Sequence, residues 1–353
     1  MTELSPLVKE LTATFDWHGA RTTFVAQFLV ALLRVRTTNF TQIANGFCGD
    51  TLPASHYRRI QRFFKEFPLT RVEVAAAVLR WLPLGNQWVL CLDRTNWKFG
   101  AMNINILVLA VAYHGVAIPL LWVLLDKRGN SNTYERIGVL KHFLCAFGHE
   151  RIQCLTADRE FIGTDWIKFL LRQRLRFRIR IKGNTLVSNP SGTSDLSAFR
   201  FFVNGRPGVA RILPQPRRVW GMRVFVVGMR LKNDYLIVIT ADVPDSALKD
   251  YAQRWEIETL FGCLKSRGFN FEDTHLTHPA RISKLLGLLT LALCWCLLVG
   301  EWQHERTPIA IKTHGRRAKS LFRYGLDLLQ NILCNLITKE REFCWATNFL
   351  SCT

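Results

Sequence analysis

Residues 251–265 read Tyr-Ala-Gln-Arg-Trp-Glu-Ile-Glu-Thr-Leu-Phe-Gly-Cys-Leu-Lys. The stretch has no proline, and its one glycine is Gly262. Apolar residues recur at Ile257, Leu260, Phe261 and Leu264, the spacing of an amphipathic helix. At about 100° per residue, with Tyr251 at zero, Arg254 falls at roughly 300°, Glu258 at roughly 340° and Lys265 at roughly 320°. Four polar groups from successive turns therefore share one stripe, while Glu256 points away at roughly 140°. Tyr, Arg, Glu and Lys on one stripe suit a site that handles phosphate and a hard metal ion. The alternative is a solvated face with an ordinary i,i+4 Arg–Glu pair.

Two further stretches upstream carry acidic residues after apolar runs. Val-Leu-Cys-Leu at 89–92 runs into Asp93-Arg94-Thr95, and Ile152–Ala157 runs into Asp158-Arg159-Glu160-Phe161. Each aspartate, taken alone, reads as a turn or cap residue at a strand end. Together with the 251–265 spacing they carry a resemblance. Tyr-x2-Arg-x3-Glu-x6-Lys, matched at Tyr251, Arg254, Glu258 and Lys265, resembles the signature of DDE transposases of the insertion-sequence-four family, bacterial insertion elements. The three motifs stand in the family's order, and the resemblance spans roughly residues 88 to 300.

The resemblance implies a fold, a chemistry and partners. The fold is α/β: a ribonuclease-H-like catalytic core with an all-β insertion, preceded by a helical N-terminal DNA-binding domain. The activity is metal-dependent cut-and-paste transposition of the insertion element. It proceeds by nicking at terminal inverted repeats, a DNA hairpin intermediate and 3′-hydroxyl strand transfer into target DNA. Asp93, Asp158 and Glu258 are the catalytic residues and the ligands of two Mg²⁺ ions, or Mn²⁺. Hard cations favour carboxylate oxygens, and two ions can activate the attacking hydroxyl and neutralise the leaving oxygen. Tyr251, Arg254 and Lys265 grip phosphates, with Arg159 and Arg94 beside them. Trp255 is a candidate stacking platform for an extruded base, with core packing as the equal alternative; for Trp220 core packing is favoured. The partners are double-stranded DNA and a second copy of the chain in a homodimer, with no membrane involved, in the bacterial cytoplasm at the nucleoid. Two other classes compete: a metal-dependent nuclease that never joins strands, and an inactive DNA-binding protein of the same fold.

The bulk properties agree with a nucleic-acid partner. The 353 residues hold 47 Lys and Arg against 27 Asp and Glu, a formal charge of +20, which favours a polyanionic partner such as nucleic acid or an anionic membrane surface. Hydrophobic residues make up 49%, which excludes a disordered basic tail. The ten cysteines form no Cys-x2-Cys pair and read as reduced thiols. The N-terminus lacks an apolar signal core. Leu285–Gly300 is the one strongly apolar run; it is short for a membrane span and reads as a buried helix, with a membrane helix as the lesser alternative.

Along the chain, residues 1–84 read as helical and DNA-binding. A short helix over 41–47, capped at Asn39 or Thr41, a turn, and a basic helix over 55–67 with Arg58, Arg59, Arg62 and Lys65 form a plausible helix-turn-helix; a helical bundle with a solvated basic face is the equal alternative. Residues 85–182 alternate strands and helices. They include a hairpin turning at His114-Gly115, a helix over 133–147 and strands over 152–157 and 177–182. Residues 183–246 read as an all-β insertion. Between Asp165 and Lys232 fifteen Lys and Arg face two acidic residues, a bias suited to a DNA backbone. Residues 247–300 complete the core, and 301–353 form a C-terminal helical region with a basic loop at Lys312, Arg316, Arg317 and Lys319.

Overall fold

The computed structural model describes residues 4–49, 51–242, 244–313 and 315–351. Five helices come first: α1 (Ser5–Thr14), α2 (Gly19–Val35), α3 (Phe40–Asn45), α4 (Pro53–Glu66) and α5 (Arg71–Trp81). The Asn39 side chain accepts the Thr41 and Gln42 amides to start α3, so the short helix and the basic helix fall where the sequence predicts. A long antiparallel meander follows: β1 (Trp88–Phe99), β2 (Met102–Tyr113) and β3 (Val116–Leu124). Its second turn is His114-Gly115, both with positive φ of 48° and 96°. That backbone matches the twist of a two-residue hairpin, and the glycine adopts it without strain.

Then come α6 (Thr133–Phe147), β4 (Ile152–Ala157), α7 (Thr164–Arg172) and β5 (Phe177–Arg180). β1, β4 and β5 run parallel, so the first five strands lie in the order β3-β2-β1-β4-β5. The next segment holds β6 (Leu186–Ser188), β7 (Asp195–Ser197), a 3₁₀ turn at Ala198–Phe201, β8 (Ala210–Ile212), β9 (Arg217–Val219), β10 (Met222–Arg230) and β11 (Tyr235–Thr240). Three features here differ from the sequence reading of a separate all-β insertion. β11 pairs antiparallel with β5, and β10 and β8 follow, so the segment extends the main sheet and covers the otherwise open β5 edge. The apolar run over 219–229 is not one strand: it folds back at Trp220-Gly221, with φ of 48° and 79°, and splits between β9 and β10. Among the described residues, only β6 and β7 form a sheet of their own.

The chain continues with α8 (Ala247–Ala252), α9 (Trp255–Leu264), α10 (Pro279–Arg306), α11 (Leu321–Cys334) and α12 (Glu340–Asn348). α10 is long and apolar enough to cross a membrane, and 89% of its most apolar window is buried inside the protein. It packs against α5, α2, β3 and α11. Gly300 and Gly325 let α10 and α11 meet backbone to backbone: a Cβ at Gly325 would strike the Cys296 carbonyl oxygen, and one at Gly300 the Leu321 carbonyl oxygen. α11 in turn seals α2. Arg34 Nε donates to the Leu333 carbonyl (2.8 Å), and Gln330 Nε2 donates to the Arg34 carbonyl (2.7 Å). The helices from the two ends of the chain thus share one core beside the sheet. Nine cysteines lie among the described residues and are all free thiols; Cys352 lies outside them.

Candidate active site

The parallel register between β1 and β4 sets the site. Its last pair is Leu92 with Ala157, so Asp93 and Asp158 are the next residues on neighbouring strands. Asp93 does not end its strand, as the sequence suggested: β1 continues to Phe99, because its other edge stays paired with β2. Strand alternation puts Cys91 and Asp93 on one face. On that face the Cys91 thiol donates to the Gln253 carbonyl (3.6 Å), and Asp93 meets Arg254.

The signature stretch is two helices rather than one. α8 stops at Ala252 and α9 starts at Trp255. Gln253 and Arg254 keep right-handed helical angles, and the amides of Gln253, Arg254, Glu256 and Ile257 all bond three residues back. The tightened turn preserves the phase closely enough to keep Tyr251, Arg254 and Glu258 together. Glu256 lies against the β2–β3 turn at Tyr113 and Gly115, and burial raises its pKa.

Arg254 is the centre of the network, with 3% of its side chain exposed. Its Nη1 donates to Asp93 Oδ2 (3.2 Å), its Nη2 to Glu258 Oε1 (2.6 Å) and its Nε to the Tyr251 hydroxyl (3.1 Å). That hydroxyl donates to Asp158 Oδ1 (3.3 Å). Five of the residues singled out in the sequence are therefore joined in one hydrogen-bonded chain. Burial works against the charge of Arg254, but Tyr251, Glu258, Asp158 and Asp93 outweigh it and hold its pKa above the ordinary value. Asp93 is 16% exposed, and its carboxyl is pushed up to about 7. Burial is the main cause; the Arg94 amide and Arg254 oppose it, while Glu160 and Asp158 add to it. Tyr251 is raised to about 12, chiefly by burial. Glu258 stands at the mouth, 41% exposed.

The remaining candidates lie around this chain. Lys265 pairs with Glu272 (2.7 Å), donates to the Asn96 carbonyl (3.2 Å) and sits over the Trp97 ring. Trp255 is 59% exposed, with the Arg254 guanidinium 5.1 Å over its ring; its outer face is open for stacking. Trp220 is half-buried against the core. Arg159 is exposed. Arg94 is tied to Glu160 (3.3 Å), Asn105 (3.3 Å) and Asn130 (3.0 Å), so it buttresses the floor of the site. On α4, Arg58 and Arg62 are exposed, while Arg59 donates to Gln27 Oε1 (3.0 Å) and lies over Phe24.

The sequence reading passed over one arginine that holds the signature segment in place. Arg178 on β5 is 3% exposed and bonds Asp250 Oδ2 (3.0 Å) on α8 and Asp242 Oδ1 (3.0 Å). It fixes α8, and hence Tyr251, against the sheet. An arginine between Phe177 and Ile179 in an apolar strand was the available signal, since a buried charge requires a partner.

The donor type suits a hard divalent cation, which takes carboxylate oxygens: Asp93, Asp158 and Glu258 are linked to one another through Tyr251 and Arg254. Among the described residues no three acidic, His or Cys groups are gathered closely enough to hold a metal ion. The Arg254 guanidinium stands between Asp93 and Glu258 and supplies positive charge there.

The family model of the transposase DDE domain matches residues 85–295, a span containing every residue of this network, and the chain belongs to that family. It is a transposase, of the class of enzymes that cleave DNA and transfer its strands. No curated protein matches the chain. Among solved structures, the cryo-EM structure of the piggyBac transposase synaptic complex with hairpin DNA is similar at 12% identity and a TM-score of 0.43, covering 97% of this chain and 80% of that one.

Proposed function

We propose that the chain excises and inserts its own element by cut-and-paste transposition, as a member of the insertion-sequence-four group. The observation that carries this reading is the linkage of Asp93, Asp158 and Glu258 through Tyr251 and Arg254 at the junction of two parallel strands. The strand order β3-β2-β1-β4-β5 supports a ribonuclease-H-like core.

Asp93, Asp158 and Glu258 would hold Mg²⁺ or Mn²⁺. When bound, two such ions supply a deprotonated water or 3′-hydroxyl and neutralise charge on the leaving oxygen. The protein groups position the DNA. Arg254 supplies positive charge beside the scissile phosphate while its fork holds Asp93 and Glu258, and Tyr251 fixes its tilt through Nε. Lys265, just past the end of α9, contributes a point charge that it shares with Glu272. Trp255 offers a ring on which an unpaired base can stack, the role a hairpin intermediate requires. Arg58, Arg59 and Arg62 on α4 track the phosphates of the terminal inverted repeat, and two copies pair the element's ends as a homodimer in the bacterial cytoplasm.

The test is cleavage of a labelled duplex carrying the element's own inverted repeat, with Mg²⁺ and with EDTA. The expected result is metal-dependent nicking at the repeat end, followed by a hairpin and by joining to target DNA. Asp158→Ala and Glu258→Gln abolish nicking and leave binding intact. Nicking without joining assigns a nuclease. Binding without nicking, in Mg²⁺ and in Mn²⁺, assigns a DNA-binding protein.

A further inference from the structure

The loop between α10 and α11 is a small β-hairpin. Ile311 bridges Arg317, Lys312 N–H donates to the Arg316 carbonyl (2.9 Å), Gly315 N–H to the Lys312 carbonyl (2.8 Å) and Ala318 N–H to the Ala310 carbonyl (2.8 Å). From Arg306 to Arg323 the chain holds six Lys and Arg and no acidic residue. Lys312, Arg316, Arg317 and Lys319 are all exposed. At the hairpin base Asp327 receives Arg36 (2.7 Å), Lys319 (2.8 Å) and Arg323 (2.9 Å). One carboxylate under three cations leaves that base positive. Such a surface repels itself unless an anion lies on it.

Its position ties it to the site. A cleft of about 520 Å³ runs between the hairpin and the sheet, lined by Arg316, Arg317 and Lys319 on one side and by His114 and Thr259 on the other. Thr259 is the residue after Glu258 on α9. Thr259 lies about 100° around α9 from Glu258, and His114 lies six residues on from Val108 of β2, the partner of Asp93, roughly 20 Å at ~3.4 Å per residue; a duplex crossing α9 from the carboxylates reaches the hairpin over that span. The hairpin also exposes Ile311 (64%), an apolar side chain suited to sugar and base-edge contact in a groove.

We infer that this hairpin is a second DNA-binding element. It grips the backbone of duplex DNA that continues out of the active site, through Lys312, Arg317 and Lys319. The inference rests on the transposase reading above. It assigns the hairpin a positional role beyond cleavage: holding the duplex so that the scissile phosphate stays against α9.

The test uses the full chain and a 40-bp duplex carrying the inverted repeat with its flanking DNA. Binding is titrated from about 0.05 to 0.3 M salt for the native protein and for a Lys312→Gln/Arg317→Gln double variant. Each phosphate contact contributes about 0.9 to the slope of log Kobs against log salt. The expected result is a slope shallower by roughly 1.8 and an affinity about tenfold or more weaker at 0.1 M salt. The variant's thermal melt should match the native protein, because both side chains are exposed. A benzophenone amino acid placed at Ile311 should cross-link to the duplex on the side away from the nick. An unchanged slope with native binding intact overturns the hairpin proposal alone. Absence of native binding at 0.05 M salt overturns the transposase reading with it. Capture of phosphatidylserine vesicles, lost in the double variant while the DNA slope holds, reassigns the hairpin to a membrane surface and also overturns the proposal.

Discussion

Asp93→Asn should stabilise the metal-free protein, and by an amount that grows with pH. The Asp93 carboxyl sits at about 7 against an ordinary value of 3.8. A raised acid pKa means that folding favours the neutral form. That stability is fully present below the unfolded value and is lost as pH rises from there through the folded value. The gap is about three units, and each is worth about 1.4 kcal/mol, so the ionised group costs roughly 4 kcal/mol by pH 8. Asparagine removes the ionisation; the acceptor it loses toward the Arg94 amide or Arg254 shifts the difference by an amount that does not change with pH. Apart from that offset, its advantage over the native residue should be about 2 kcal/mol at pH 5 and about 4 kcal/mol at pH 8. Urea unfolding in EDTA at several pH values reads the difference directly. A difference flat with pH, or one that shrinks as pH rises, refutes the account of Asp93 as a carboxylate held by burial against its own charge. The same variant should not nick DNA at any pH, so stability and activity move in opposite directions.

Arg178→Met should destabilise by about 3–5 kcal/mol, because it leaves Asp250 buried without its cation. A urea midpoint within error of the native protein would show that α8 is held by other means. Gly325→Ala should cost about 3 kcal/mol, at the upper end for overpacking, since the new methyl meets the Cys296 carbonyl oxygen. Calorimetry that finds no lowering of the melting temperature would show that α10 and α11 can part at little cost.

The sequence showed most of the residues that gather in the candidate site and less of the frame that carries them. The spacing of Tyr251, Arg254 and Glu258 was legible because a helical phase needs only local geometry, and it survived the tightened turn at Gln253-Arg254. No Gly or Pro marks that turn, so its place was not legible. Asp93 and Asp158 could be seen at the ends of apolar runs, but their adjacency depends on the β1–β4 register, which joins residues far apart in sequence. The pairing of β11 with β5 was hidden for the same reason. Short β runs between 183 and 246 were visible, yet nothing in them says which edge they join. Arg254 was expected to face phosphate, and its bond to Asp93 follows only from the packing of α9 on β1.

The seam between α2 and α11 has a consequence for how the molecule comes into being. Leu29, Leu32 and Leu33 on α2 are buried, and part of their cover is made nearly 300 residues later, where Arg34 and Leu333 meet. At a synthesis rate of about 5–20 residues per second, α2 waits roughly 15–60 s for that partner. Through that interval an apolar helix stands incomplete on the ribosome, a target for holdase chaperones. A chain whose translation stops before Leu333 never completes the cover of α2.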